Sequence, residues 1–286
     1  MGTQDGQQSG EYDGRGRPDE YDEQRLAEGA LLVRRTPGAV EVVFNRPERH
    51  NAFTSATYEG LLKVCADLEG RSDVRAVVFR GAGGKAFAAG NEISEFVGLH
   101  EGTDGVAYEA NVGRVLRAIA ELSQVTIAAV DGVCVGGGLA VATHCDLRIA
   151  TDGSRFGYPI ARTLGNALSA FIVYRCVAVF GEPLTREMLL ASRLVDATRA
   201  HGVGAVMSVV PDGALDDEVK SVVEGLRVAA PMTLTATKEQ LLRRSDALEA
   251  SPADDLVRLE RVYGSADFRE GVRAFLAKEK PRFGTD

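Results

Sequence analysis

Asp131-Gly132-Val133-Cys134-Val135-Gly136-Gly137-Gly138-Leu139-Ala140 follows directly on the apolar run Val125-Thr126-Ile127-Ala128-Ala129-Val130. A short, continuous apolar run of this kind reads as a strand buried on both faces. Glycines after it clear room for a ligand to approach the backbone. The helix they open begins with amide N–H groups that have no intrahelical acceptor, and such groups favour negative charge. The same order recurs upstream, where Ala76-Val77-Val78-Phe79 precedes Gly81-Ala82-Gly83-Gly84-Lys85-Ala86-Phe87-Ala88-Ala89-Gly90-Asn91-Glu92-Ile93. Two such helix starts facing one point would form an oxyanion hole. A nucleotide loop fits less well: the second segment is GxxxGGG rather than GxGxxG, and neither ends in Lys-Ser/Thr. Tight turns without a ligand are the plainer alternative.

Outward from these segments the alternation continues. Leu31-Leu32-Val33 and Val40-Glu41-Val42-Val43-Phe44 read as strands joined at Pro37-Gly38. Tyr58, Leu61, Leu62, Cys65 and Leu68 recur at helical spacing behind a Thr54 or Ser55 cap. Val112, Val115, Leu116 and Ile119 mark another helix, and Asp146-Leu147-Arg148-Ile149-Ala150 another strand. Strands alternating with helices predict an α/β fold with a largely parallel sheet. Beyond Leu168 the pattern is mostly helical, with helices expected near 185–191, 215–230, 233–244 and 268–283.

The bulk properties narrow the function. A net charge of -8 gives no attraction to phosphate backbones, so nucleic-acid binding is not expected. No apolar run is long enough to cross a bilayer and the first residues carry no signal-peptide core, which predicts a cytoplasmic protein. Cys65, Cys134, Cys145 and Cys176 sit in apolar stretches without CxxC pairing and read as buried, reduced thiols. No metal site is expected.

Six short motifs in register resemble the enoyl-CoA hydratase/isomerase (crotonase) family. Asn45-Arg46-Pro47-Glu48-Arg49-His50-Asn51-Ala52-Phe53 is similar to NRPxxxNAL, and Phe87-Ala88-Ala89-Gly90-Asn91-Glu92-Ile93 to FxAGAD(I/L). Ala128 through Gly138 is similar to AxxNGxxxGGG, and Cys145-Asp146 matches the CD that follows. Phe156-Gly157-Tyr158-Pro159 resembles FxxPE, and Glu270-Gly271-Val272-Arg273-Ala274-Phe275 resembles EGxxAF. The resemblance implies a crotonase-type (ClpP/crotonase) β/α spiral with a C-terminal helical trimerisation region. It divides the chain into a polar tail at 1–27, a spiral core at 28–210 and a helical region at 211–286. It implies an acyl-CoA thioester as substrate, coenzyme A being part of that substrate and no separate cofactor being needed, and a homotrimer or dimer of trimers. It assigns the oxyanion-hole amides to Asn91 and Gly137, and the thioester lining to Ala89, Asn91, Glu92, Ile93 and Ser94. Lys278, with Lys280 and Phe283, would approach the CoA nucleotide.

The chain departs from the family at the two hydratase glutamates. The GGGxE position holds Ala140 and the PE position holds Ile160. Hydration needs one group to activate water and one to protonate Cα, so ordinary hydratase activity is not expected. Replacement candidates are His144, one helical turn beyond Ala140, and Tyr158, Arg162 and Asn166 along the acyl pocket. Arg162 could grip a second carboxylate, as in a decarboxylase acting on a carboxylated acyl-CoA. The plainer readings are a histidine packed beside Asp146, a surface ion pair for Arg162 and a helix cap for Asn166. Glu92 reads as a first-turn charge and Glu95 as solvated, while Glu109, after a Gly102-Thr103-Asp104-Gly105 loop that in the family resemblance caps the acyl pocket, is a further candidate whose plainer reading is also a solvated side chain. A non-catalytic acyl-CoA-binding subunit is the alternative to an enzyme. A serine peptidase is disfavoured, because no serine follows the triple glycine.

Overall fold

The computed structural model describes residues 23–246 and 252–284. Strands β1 (Glu23–Leu26), β2 (Leu31–Thr36) and β3 (Ala39–Phe44) form an antiparallel edge. Residues 23–26, inside the expected tail at 1–27, therefore form a strand. Glu23 gives this polar segment a cross-strand partner, accepting from Arg34 Nε at 2.9 Å. The tail residues 1–22 lie outside the described residues. From β3 the large sheet continues in parallel through β4 (Ala76–Gly81), β6 (Val125–Val130), β8 (Leu147–Thr151) and β11 (Ser208–Val210).

A second, smaller sheet holds β5 (Ala86–Ala88), β7 (Val133–Val135), β9 (Arg155–Gly157) and β10 (Val195–Asp196). Three times the chain leaves the large sheet, adds one short strand to the small one, and runs into helix. Each passage completes a turn of a β/α spiral. Gly132 makes the middle passage, at φ +75°, where a Cβ would stand 2.2 Å from the Lys85 carbonyl oxygen. The glycine segments thus each contain a strand that sequence periodicity does not reveal, since three residues are too few to show a period.

Helix α1 (Ser55–Leu68) opens with a capping box in which Thr54 and Thr57 exchange hydrogen bonds at 3.2 Å. It buries Tyr58, Leu61, Cys65 and Leu68 against the sheet. Helix α2 (Gly102–Glu121) begins at the expected loop, so Gly102 and Gly105 are helical. They are needed for packing. A Cβ at Gly105 would stand 2.0 Å from Tyr263 Cγ, on helix α9 (Pro252–Tyr263). Helices α3 (Gly137–His144), α4 (Ile160–Thr163) and α5 (Ala170–Leu190) follow, α5 breaking at Gly181. Then come α6 (Ala197–Gly202), α7 (Leu215–Val228), α8 (Pro231–Asp246) and, after α9, α10 (Ala266–Ala277). Helix α10 stops short of residue 283 because Lys278 turns left-handed, φ +57°. Helix α7 covers the outer face of the large sheet through Leu215, Val219 and Val223. The main core fills the inner face. All four cysteines are free and buried. No helix among the described residues is long and apolar enough to cross a membrane.

Candidate active site

The two glycine segments meet. Phe53 N–H donates to Gly90 O at 2.8 Å, and Glu92 N–H donates to Phe53 O at 2.7 Å. Between those two bonds, Asn91 turns its own N–H to the opposite side, as alternation along extended backbone requires. On that side lies the start of α3. A Cβ on Gly90 would stand 3.7 Å from Gly136 Cα and 3.8 Å from Gly137 N. Gly136 holds φ +54° and ψ −127°, which places the next amide at the helix start. Gly137 is the first residue of α3 and has no carbonyl one turn back to receive its N–H. Among the described residues, no hydrogen bond takes the N–H of Asn91 or of Gly137.

The Asn91 side chain is anchored rather than loose. Its Oδ1 accepts from Tyr58 Oη at 2.7 Å. Gly137 faces this pair so closely that a Cβ there would stand 2.5 Å from Asn91 Oδ1 and 2.8 Å from Tyr58 Oη.

Both amide-bearing residues line a cavity of about 800 Å³, its open mouth included. Ala89, Ile93 and Asn166 line it too, and Phe275, half exposed, stands at its edge. Ala140 and Ile160 also line the cavity. The two positions where the resemblance would place glutamates therefore present apolar walls.

One carboxyl reaches the cavity from elsewhere. Glu109, in the middle of α2, lines it and is only 4% exposed, against the expectation of a solvated side chain. Its Oε1 accepts from Tyr263 Oη at 2.8 Å and its Oε2 from Ser169 N–H at 3.0 Å. Asn166 Nδ2 in turn donates to Tyr263 Oη at 3.4 Å, and its buried Oδ1 has no partner among the described residues. Burial pushes Glu109 up to about 7, against the downward pull of the Tyr263 and Ser169 hydrogen bonds and with a further push from Asp255. A signal for this residue was present. Extended back from Val112, Leu116 and Ile119, the buried stripe of α2 passes through Gly105 and Glu109. Reading the glycines as a loop hid it.

The structure does not bring the other sequence candidates to the cavity. His144 is buried, 1% exposed, with Nδ1 donating to Ala140 O at 2.7 Å and its ring against Phe171. Burial lowers it to about 3, so it is neutral and a poor base. It turns back along its own helix rather than toward the lining. Tyr158 lies wholly in the core, and burial raises its phenol well above the ordinary range. Arg162 is exposed on α4 and Lys278 is exposed past the end of α10. Asn166 is not a helix cap, since Ser169 takes that position for α5. Glu92 pairs with Arg46 at 3.0 Å and accepts from Ser94 Oγ at 3.2 Å. Burial would raise it, yet Arg46 and Ser94 hold it below the ordinary carboxylate value. Glu95 accepts from the N–H and hydroxyl of Ser55 at the start of α1.

The arrangement can hold an oxyanion between two main-chain donors, with one carboxyl and no cation among the described residues of the cavity wall. Comparisons with known proteins give the family and the fold. A profile of the enoyl-CoA hydratase/isomerase family matches residues 34–286. The chain is 29% identical to a short-chain-enoyl-CoA hydratase of Clostridium acetobutylicum over 85% of this chain and 93% of that one. A solved enoyl-CoA hydratase/carnithine racemase of Magnetospirillum magneticum superposes with TM-score 0.73 at 32% identity, over 90% of this chain and 96% of that one. A methylmalonyl-CoA decarboxylase in complex with 2-nitronate-propionyl-CoA superposes with TM-score 0.81 at 25% identity, over 90% and 99%.

Proposed function

Because the chain belongs to the enoyl-CoA hydratase/isomerase family, we propose that it binds an acyl-CoA thioester with the carbonyl oxygen between the N–H groups of Asn91 and Gly137 and catalyses a proton transfer at Cα rather than a hydration. The observation that carries this is the pair of unpaired amides beside cavity walls that hold Ala140 and Ile160. Negative charge on the thioester oxygen is stabilised by roughly 3–4 kcal/mol per preorganised donor. Hydration needs two acid–base groups, whereas a shift of the double bond through an enolate needs one. The chemistry requires no cofactor beyond the coenzyme A of the substrate. Decarboxylation of a carboxylated acyl-CoA is the weaker reading, since among the described residues no Lys, Arg or His lines the cavity to receive a second carboxylate.

In this reading the substrate enters past Phe275, which lines the cavity and is half exposed, and the exposed Lys278, three residues further on, would meet the nucleotide. A homotrimer or dimer of trimers would cover the exposed apolar Val228, Met232, Leu241 and Val257 on the C-terminal helices, and light scattering would read the assembly directly.

The test is a comparison of two thioesters with the purified protein. Isomerisation of trans-3-hexenoyl-CoA, seen as a rise in conjugated-thioester absorbance, is expected without hydration of crotonyl-CoA. Rapid crotonyl-CoA hydration would refute the proposal. Tight binding of both without turnover would instead support a non-catalytic acyl-CoA-binding subunit.

A further inference from the structure

We propose that Glu109 is the proton-transfer group of this site, taking a proton from C2 of a bound 3-enoyl thioester and returning it to C4. This rests on the acyl-CoA reading above and names the residue that reading leaves open. Among the described residues that line the cavity, Glu109 is the only one with an ionisable side chain. It comes from α2, so neither glycine segment supplies it.

The carboxyl is also held in place. Both of its hydrogen bonds come from elements other than its own helix: Tyr263 Oη from α9 on one oxygen, and the Ser169 N–H ahead of α5 on the other. These partners fix the carboxyl plane. Tyr58, Tyr108, Tyr263 and Asp255 surround it, and Arg117, two turns along α2, shares with it an outer hollow between α2, α5 and α9. Its hydrogen-bond donors are thus a phenol and a backbone amide, which constrain the group without supplying a neutralising charge. A shuttle must accept and give up the same proton near neutrality, and burial raises Glu109 into that range.

The step balances without a co-reactant. The C2–H electron pair moves into the C1–C2 bond, and the thioester oxygen takes negative charge between the two amides, giving a dienolate. The proton rests on Glu109. It is then delivered to C4 as the dienolate electrons return, forming the C2–C3 double bond and restoring the carbonyl. One carboxyl serves both ends, so both transfers occur on one face of the substrate. Neither Ala140 nor Ile160 has to act.

The experiment uses the full chain with trans-3-hexenoyl-CoA, and with butanoyl-CoA in D2O, where nuclear magnetic resonance follows Cα deuterium exchange. Three proteins are compared: the unmodified one, Glu109→Gln and Tyr263→Phe. Glu109→Gln is expected to bind butanoyl-CoA with Kd within about threefold of the unmodified protein, yet to lose isomerisation and exchange by roughly 10²–10⁴-fold. Activity of the unmodified protein should rise with pH as Glu109 ionises. In Tyr263→Phe the bond that favours the carboxylate is gone, so that rise should move to higher pH. A residue serving only structure would not produce that displacement. Glu109→Gln that isomerises and exchanges at the unmodified rate overturns the assignment of Glu109 and leaves the acyl-CoA reading standing. So does a Tyr263→Phe pH profile that does not move, should Glu109→Gln fail to fold. An unmodified protein that neither binds nor enolises these thioesters overturns both.

Discussion

Gly137→Ala tests the oxyanion hole with a single methyl group. The residue lies at the start of a helix, where alanine is better tolerated than glycine by about 1 kcal/mol, so the backbone itself does not resist the change. The side chains do. A Cβ would stand 2.5 Å from Asn91 Oδ1 and 2.8 Å from Tyr58 Oη, against a comfortable carbon–oxygen separation of about 3.3 Å. Asn91 Oδ1 must therefore retreat by roughly 0.8 Å, and the 2.7 Å bond from Tyr58 must stretch or break. Asn91 carries one of the two donors, so its displacement opens the hole. Misplacement on the order of 1 Å costs about 10²-fold in rate, and full loss of a donor costs about 10²–10³-fold. The expected outcome is about a 10²-fold fall in Cα deuterium exchange of butanoyl-CoA, with the thermal midpoint nearly unchanged. Tyr58→Phe removes the anchor without adding bulk and should cost about tenfold. Exchange by Gly137→Ala within about threefold of the unmodified protein would refute the assignment of these amides as the oxyanion donors.

Stability should follow pH through Glu109. Its folded value, about 7, lies above the ordinary 4.5, so the protonated form carries the stability. That contribution, about 3 kcal/mol, is fully present below the unfolded value and is lost as pH rises through the folded one; urea unfolding of Glu109→Gln from pH 5 to 8 should lack it, and equal pH slopes in both proteins would count against a raised Glu109. Gly105→Ala should lower the thermal midpoint and weaken activity together, because α9 must move off α2; an unchanged melt would mean that the helices repack freely. His144→Gln should leave the pH–rate profile unaltered, since the neutral imidazole titrates near 3 and lies off the cavity. A lost limb in that profile would restore His144 to the chemistry.

The alternating strands and helices, the Thr54 cap and the buried cysteines were legible because each is encoded locally, in period or in one residue's hydrogen bond. The two glycine segments were legible as places with free main-chain N–H groups, because that needs only a turn and a helix start, while the choice of Asn91 and Gly137 came from the family resemblance. The missing hydratase glutamates could be read from Ala140 and Ile160 once the family motifs had set the register. What sequence could not give was contact between distant segments. The three-residue strands exist only as partners of one another. Gly102 and Gly105 resemble a flexible loop until α9 is seen pressed against them. His144 carries a good base by composition, yet its ring folds back on Ala140, and Arg162 sits where its helix leaves it exposed. In sequence Glu109 is a candidate with a solvated role as its plainer reading, and its burial against Tyr263 and Ser169 shows only in the fold.

The bond from Tyr263 to Glu109 joins residues 154 positions apart. On a ribosome, both amide donors and the large sheet are made long before α9 emerges. A chain halted after α8 would lack the Tyr263 hydroxyl that holds the Glu109 carboxyl. Competence would then arrive with the last ~40 residues, and proteolytic trimming of the C-terminal helices is expected to remove it.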